Sequence, residues 1–342
     1  MAPLPAVTLI PFYQMKKNIL PFLLLSLLFS ISSYRTQAQE LKFTNGKFKI
    51  VQFTDLHYVA NAEPSKKSIQ TIEHTLDAER PDLVVFTGDV VVKAPSKQGW
   101  DEVLQTVIDR KIPYMVTLGN HDDESELTRL EVATYVAKKP YLINKTASIP
   151  NVDGVLNASI PILGKDNKPQ FTLYALDSKA YSQFKEIKGY DWFAANQVAW
   201  YRNESTRIKK EANTTLPALA FFHIPFPEYE IAFNNLSHAR IGVRYEKEGS
   251  PIINSGMYEA MLKQGDVMGT FVGHEHVNDY LVDYYGIALA YGCFTGSENT
   301  YLRHKNGARI IQIEEGKRGF HTYIRESDGA ILYRTDYPFA KK

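Results

Sequence analysis

Apolar residues along this chain follow two rhythms. Short runs such as "KFKIVQF", "LVVF" and "YMVT" are continuous, as in strands buried on both faces, whereas the stretches between them space apolar residues three or four apart, as on one side of a helix. The first part therefore predicts a strand in "KFKIVQFTDLH", a helix over Ser65–Glu79, a strand in "PDLVVFTGD", a helix over Trp100–Arg110 and a strand in "IPYMVTLGNH". Such a β-α-β-α-β series implies right-handed crossovers and a largely parallel inner sheet. The second part repeats the theme more loosely, with a strand in "FTLYALDS", an amphipathic helix in "QVAWYRNESTRIKKEA" and strands in "LPALAFFHIP" and "VMGTFVGHEH". After residue 280, short β-rich runs predict a largely antiparallel finish. No internal repeat or low-complexity linker divides the chain beyond residue 40. Residues 40–336 are read as one α/β domain, two packed sheets flanked by helices.

Composition narrows the picture. The chain has 342 residues, 44% of them hydrophobic, enough to bury a substantial core. Lys and Arg number 39 against 38 Asp and Glu, a net charge of +1 that lacks the basic excess of a nucleic-acid-binding surface. The N-terminus departs from the rest. From Met15 it reads "MKKNILPFLLLSLLFSISSYRTQAQE", with Lys16 and Lys17, an apolar stretch from Ile19 to Ile31, and Thr36 and Ala38 at the positions a signal peptidase reads. Residues 1–38 are thus expected to be an N-terminal extension and signal peptide, the apolar run being short for a membrane span; an uncleaved anchor is the alternative. Export predicts a secreted or periplasmic protein with no stable membrane span after cleavage. The single cysteine, Cys293, permits no intramolecular disulfide and reads as a small buried residue. Sequons at Asn144, Asn157, Asn203, Asn213 and Asn235 matter only in a host that glycosylates them.

The polar residues that end the apolar runs change the picture most. Asp55 and His57, Asp89, Asn120 and His121, His223, and His274 and His276 each follow a strand core. In open α/β sheets, ligand sites gather at the carboxyl ends of strands. In "FVGHEHVNDY", strand alternation would put His274 and His276 on one side, with Glu275 turned away. Carboxylates, an amide and imidazoles without a thiolate suit Zn, Mn or Fe better than a Ca or Mg cage. The seven candidate ligands, Asp55, His57, Asp89, Asn120, His223, His274 and His276, exceed one tetrahedral shell. They fit two metal ions roughly 3.5–4 Å apart that share a carboxylate, and Asp89, on the middle strand of the series, is the candidate bridge. A lone Asp55 is more often a turn cap, a lone Asn120 after Gly119 a bend residue, and a lone His223 a packed histidine. Their arrival together at five strand ends argues for a site.

The order D-x-H, G-D, G-N-H-D, H and G-H-x-H resembles the calcineurin-like metallophosphoesterases from Val51 to about Gly296. "FFHIPFPEY", "NSGMYEAML" and "GHEHVNDY" are most similar to the branch of plant purple-acid-phosphatase-like proteins and their fungal relatives. The resemblance implies a four-layer αββα sandwich and a dinuclear metal centre. Asp55, His57, Asp89 and His276 would hold the first ion, and Asp89, Asn120, His223 and His274 the second. His121 would be the catalytic histidine beside the leaving group, oriented by Asp122. The implied reaction is hydrolysis of a small-molecule phosphomonoester by a metal-bound hydroxide, with His121 donating a proton to the leaving oxygen or stabilising its charge. Two rivals stand beside it: a phosphodiesterase acting on cyclic nucleotides, nucleic-acid ends or phospholipid head groups, and a metal-stabilised binding protein without turnover, against which the presence of His121 and Asp122 counts. One departure is informative. Purple acid phosphatases carry a tyrosine ligand a few residues after G-D, where "GDVVVK" offers valines. No tyrosinate–iron charge transfer is expected, and a redox-silent or Mn/Fe-type pair fits better.

No Gly-x-Ser-x-Gly elbow is present. His74 falls on a helix surface, and His238, His304 and His321 lack the context of a ligand. Arg244, Tyr229 and Arg303 are the candidates for substrate contact, and Trp192 and Trp200 are expected to anchor a helix in the core. The pocket walls would come from loops 58–64, 93–99, 178–195 and 226–253.

Overall fold

The computed structural model describes residues 40–297 and 306–340, so the expected signal peptide, Arg303 and His304 lie outside the described residues. In chain order the strands are β1 (Leu41–Lys42), β2 (Lys47–Phe53), β3 (Leu83–Thr87), β4 (Tyr114–Thr117), β5 (Ala158–Leu163), β6 (Pro169–Ala175), β7 (Ala218–Phe221), β8 (Arg240–Ile241), β9 (Val267–Val272), β10 (Leu281–Tyr284), β11 (Ile287–Tyr291), β12 (Gly307–Glu314), β13 (Phe320–Glu326) and β14 (Ile331–Tyr337). The helices are α1 (Ser65–Glu79), α2 (Ser96–Ile108), α3 (Arg129–Val136), α4 (Ala195–Ala212), α5 (Pro227–Asn234) and α6 (Met257–Gln264). The expected helix at Trp100–Arg110 begins a turn earlier. Gly99 breaks the apolar rhythm there, and it is required because a Cβ at that position would meet Val91 Cγ1 at 2.7 Å.

Two sheets form, in the orders β14-β13-β12-β2-β3-β4 and β1-β5-β6-β7-β9-β11-β10-β8. β2, β3 and β4 are parallel, as are β6, β7, β9 and β11, while β12, β13 and β14 pair antiparallel. Strand alternation then sorts the apolar residues into three layers. In β2 and β3, Phe48, Ile50, Leu83 and Val85 face the other sheet. Their neighbours Val51, Phe53, Val84 and Phe86 pack under α1 and α2 with Ile72, Leu76, Trp100 and Val103. In β6 and β7, Leu173, Leu219 and Phe221 face inward, whereas Tyr174, Ala218 and Ala220 pack under α4–α6 with Tyr201, Met257 and Met261. The result is the αββα sandwich that the resemblance implied.

The register aligns the strand ends. Phe53 pairs with Phe86 and Phe86 with Val116 in one sheet; Ala175 pairs with Phe221 and Phe221 with Phe271 in the other. The sheets are tied together near these ends, where the buried Gln52 Nε2 donates to Thr87 Oγ1 at 2.9 Å and across to the Val272 carbonyl at 3.0 Å. Each parallel strand therefore delivers its following loop to one rim. Among the described residues no helix is long and apolar enough to cross a membrane.

Candidate dinuclear metal centre

Asp55 and His57 follow β2, Asp89 follows β3, Asn120 and His121 follow β4, His223 follows β7, and His274 and His276 follow β9. Asp55, Asp89, Asn120, His223 and His276 are buried. Three of the loops are held in the left-handed backbone region at four candidate ligands: Asp55 (φ 52°) and His57 (φ 44°) after β2, Asp89 (φ 49°) after β3 and His274 (φ 82°) after β9. Non-glycine residues adopt that region at a cost and cluster there at functional sites. The cost is held by hydrogen bonds that knit the loops together. Asp55 N donates to Gly88 O (3.1 Å), His57 N to Asp89 O (2.9 Å), His121 N to Asp89 Oδ1 (2.8 Å), and His274 N to both Asp55 oxygens (3.1 and 3.0 Å). Gly88 has φ +86°, and a Cβ there would lie 2.5 Å from His223 Cγ and 2.6 Å from Gly119 N, so only glycine lets these loops close.

The side chains converge in two groups. Donor atoms of Asp55, His57 and His276 lie within 4.8 Å of one another, and so do those of Asp89, His223 and His274. The groups interlock through Asp89, whose Oδ2 sits 3.2 Å from His223 Nε2 in its own group and 3.6 Å from His57 Nε2 in the other. His276 Nε2 is 3.5 Å from Asp55 Oδ1. His223 Nδ1 is tied to Thr87 O at 2.8 Å, which turns Nε2 toward the carboxylates. Asn120 spends its amide nitrogen on the Tyr181 hydroxyl (3.3 Å). His57 Nε2 and Asn120 Oδ1 are buried without a hydrogen bond. Buried polar atoms are almost always satisfied; lone-pair donors left open beside two carboxylates are what a metal ion takes up. The donor set therefore fits two metal ions.

Without an ion, protons carry the compensating charge. Burial pulls the His223 pKa down, but the Asp89 and Asp55 carboxylates overcome it and raise it to about 10. Burial dominates at His57 and His274, lowering them to about 4 and about 3, and at His274 the charge of His223 adds to the effect. Burial also works to raise Asp55 and Asp89, yet the surrounding histidines hold both below the ordinary carboxylate range.

Three expectations are corrected. The G-H-x-H segment lies beyond β9 in a bend, so His274 and His276 are separated by backbone turning, not aligned by strand alternation, and each joins a different group. Glu275 is not turned away: it is buried, accepts from Gly249 N and Tyr291 Oη, and lies 3.7 Å from His274 Nε2. Asp122 does not orient His121. Its carboxylate accepts from Val90 N, Val91 N and Gly119 N at 2.8–3.0 Å, clasping the loops after β3 and β4. Burial and the neighbouring Asp89 charge raise its pKa to about 7. The group on His121 is Glu124, whose Oε2 is 2.5 Å from His121 Nδ1.

Of the suggested substrate contacts, Tyr229 is fully buried on Thr270, and Arg244 is engaged with Glu248 and Asn234. His74 is exposed on α1, His321 pairs with Asp336, and His238 packs on Tyr284 and Tyr285. Trp200 packs against the third apolar layer, whereas Trp192 is half-buried and stacks on the exposed Phe184. Sequence reasoning missed Glu124, one acid among several in "HDDESE". It also missed Tyr181 and Tyr190, which stack on each other across a hairpin at 5.4 Å and reach His121 and His274. The only signal for the tyrosines was the turn glycine in "YSQFKEIKGYDWF".

An αββα sandwich with two interlocked His/Asp groups at its strand ends defines a metallophosphoesterase with a candidate dimetal site. The chain belongs to the calcineurin-like phosphoesterase family, whose pattern matches residues 48–278. It is 34% identical over 319 residues to an Arabidopsis thaliana protein named "Probable inactive purple acid phosphatase 29", covering 82% of this chain and 81% of that one. It is likewise 34% identical over 329 residues to "Phosphatase DCR2" of Saccharomyces cerevisiae, covering 85% of this chain and 56% of the yeast protein. A dimetal phosphatase from Danio rerio shares the fold with a TM-score of 0.60 at 12% identity, over 86% of this chain and 99% of the other.

Proposed function

We propose that the protein is a working phosphoesterase that hydrolyses small phosphomonoesters at this site. The observation that carries the reading is Asp89 Oδ2, within 3.2 and 3.6 Å of imidazole nitrogens belonging to separate groups of metal-binding residues. Asp55, His57, Asp89 and His276 would hold one ion and Asp89, Asn120, His223 and His274 the other; Mn, Zn and Fe all suit these donors. When bound, such a pair supplies cationic polarisation of a phosphoryl oxygen and acidifies water toward a pKa of ~7. His121 lies beside the first group, its ring 5.3 Å from that of His57. Glu124 holds its Nδ1, so Nε2 is the nitrogen left for substrate. As the oxygen of water bonds to phosphorus and the ester P–O bond breaks, Nε2 gives its proton to the leaving oxygen. The valines of "GDVVVK" favour a pair that is not purple, with Val90 and Val91 buried away from the donors. Export is proposed from the sequence of residues 15–38 alone.

The name of the Arabidopsis relative makes turnover the point to test. Residues 40–342, stripped with a chelator and reloaded with Mn, Zn or Fe(II), are expected to cleave p-nitrophenyl phosphate faster than its bis-ester. His121→Ala is expected to lower turnover of an alkyl phosphate about a hundredfold, and that of p-nitrophenyl phosphate, with its better leaving group, by less. Preference for the bis-ester would move the function to a phosphodiesterase, and full metal loading without turnover of either ester would support a binding protein.

A further inference from the structure

Two cavities open on either side of His57 and His121. One, of about 310 Å³, is lined by His57, Asp89, His274 and His276, which carry donors of both groups. The other, of about 450 Å³, begins at His121 and Glu124 and contains no candidate ligand except His57. Its floor is Val59, Ala62 and Val92, and Lys93 stands exposed at its rim.

This floor follows from the loops that build the site. The chain leaves the two ligand-bearing turns side by side, with Tyr58 N donating to Val90 O at 2.9 Å and Val92 N to Tyr58 O at 3.2 Å. Along this short paired segment Tyr58, Val90 and Val91 turn into the core, while His57, Val59 and Val92 stay half-exposed toward the cleft. Half-exposed aliphatic side chains in a concavity that adjoins a charged centre give binding energy to an apolar ligand group. Of the charged groups here, Glu124 is engaged by His121, whereas Lys93 is an exposed cation among the residues that line the cleft. In the other cavity, Lys247 is instead paired with Glu230 at 3.4 Å.

We propose that this cleft is the leaving-group subsite and that it selects phosphomonoesters whose alcohol portion has a flat apolar body bearing a second negative charge. The ester oxygen lies at His121, the apolar body on Val59, Ala62 and Val92, and the distal anion at Lys93. This deepens the phosphoesterase reading and rests on it.

Non-hydrolysable ligands test it on the metal-loaded full chain by calorimetry: inorganic phosphate, phenylphosphonate and 4-carboxyphenylphosphonate. Phenylphosphonate is expected to bind about tenfold tighter than phosphate, and the carboxylate to add about fivefold. Ala62→Asp should erase the advantage of the phenyl group, and Lys93→Glu should erase or invert that of the carboxylate, circular dichroism confirming that both variants fold. Preferences unchanged in both variants, or phosphate binding as tightly as the phosphonates, would overturn the subsite while leaving a phosphate-binding centre. Failure of all three ligands to bind the loaded protein would overturn the phosphoesterase reading itself, and the subsite with it.

Discussion

At the scale of single residues, His121 and its partner decide what the site can do. Glu124 sits 2.5 Å from Nδ1 and also faces the Tyr181 hydroxyl, which accepts from Asn120. The histidine is therefore tied to a candidate metal ligand through a tyrosine supplied by a distant hairpin. Protonation of the leaving oxygen matters most when that oxygen is a poor leaving group. Glu124→Gln is accordingly expected to lower kcat about tenfold for an alkyl phosphate and much less for p-nitrophenyl phosphate. A merely structural role for Glu124 would lower both alike. Each of the seven candidate ligands ends an apolar run, and the structure gathers donors of six of them, Asp55, His57, Asp89, His223, His274 and His276, into two groups. Glu124 was not legible in the sequence: the chain turns back after His121 and selects the acid three residues on, while the nearer Asp122 is spent on backbone amides. Nothing in the local pattern of four acids distinguishes these fates.

Elements were read well wherever apolar periodicity was unbroken. Ser65–Glu79 forms as expected, and the parallel strands have the expected cores. The rhythm failed where close packing required a glycine, as at the start of α2, and where strand gave way to a turn before His274. The polar end of α1 shows how elements are locked to one another. Glu79 is buried, and its carboxylate takes Lys49 Nζ from β2 (2.9 Å) with Arg325 Nε (2.5 Å) and Tyr323 Oη (2.8 Å) from β13. Burial alone would raise its pKa, but these partners outweigh it and hold the value below the ordinary one of 4.5. A carboxyl with a depressed folded pKa contributes stability above its unfolded pKa and loses it as pH falls through the folded value. Urea unfolding should therefore show Glu79→Ala less stable by about 2 kcal/mol at pH 7, with the gap to wild type shrinking below about pH 4. A gap independent of pH would mean that the charge contributes nothing.

Over the whole molecule, the layered fold was legible because three apolar layers need two sheets and helices on both outer faces. The meeting of loops at one rim was expected from the strand ends, but the strand order that produces it was not legible, since it is set by long-range pairing such as β7 with β9 and β12 with β2. That meeting makes metal loading a property of the entire domain. Two ions bound only by the folded state should stabilise it by RT ln(1 + [L]/Kd) each, about 3 kcal/mol at a hundredfold excess over Kd. Chelation should lower Tm accordingly. In the metal-free protein His223 has its pKa raised to about 10 by Asp89 and Asp55 against the effect of burial, so loading at pH 7 must displace its proton. Apparent metal affinity should weaken as pH falls, and calorimetry in buffers of different ionisation enthalpy should detect proton release; loading without release would contradict that charge assignment.

The central claim is a shared-carboxylate pair of metal ions that turns over phosphomonoesters. Metal content per chain, measured by mass spectrometry on the same reloaded sample as p-nitrophenyl phosphate turnover, tests it most directly. Two ions in the wild type with restored cleavage, and both occupancy and activity lost in Asp89→Ala, is the predicted result. One ion in the wild type, two retained in Asp89→Ala, or two ions without cleavage of any phosphoester would contradict it.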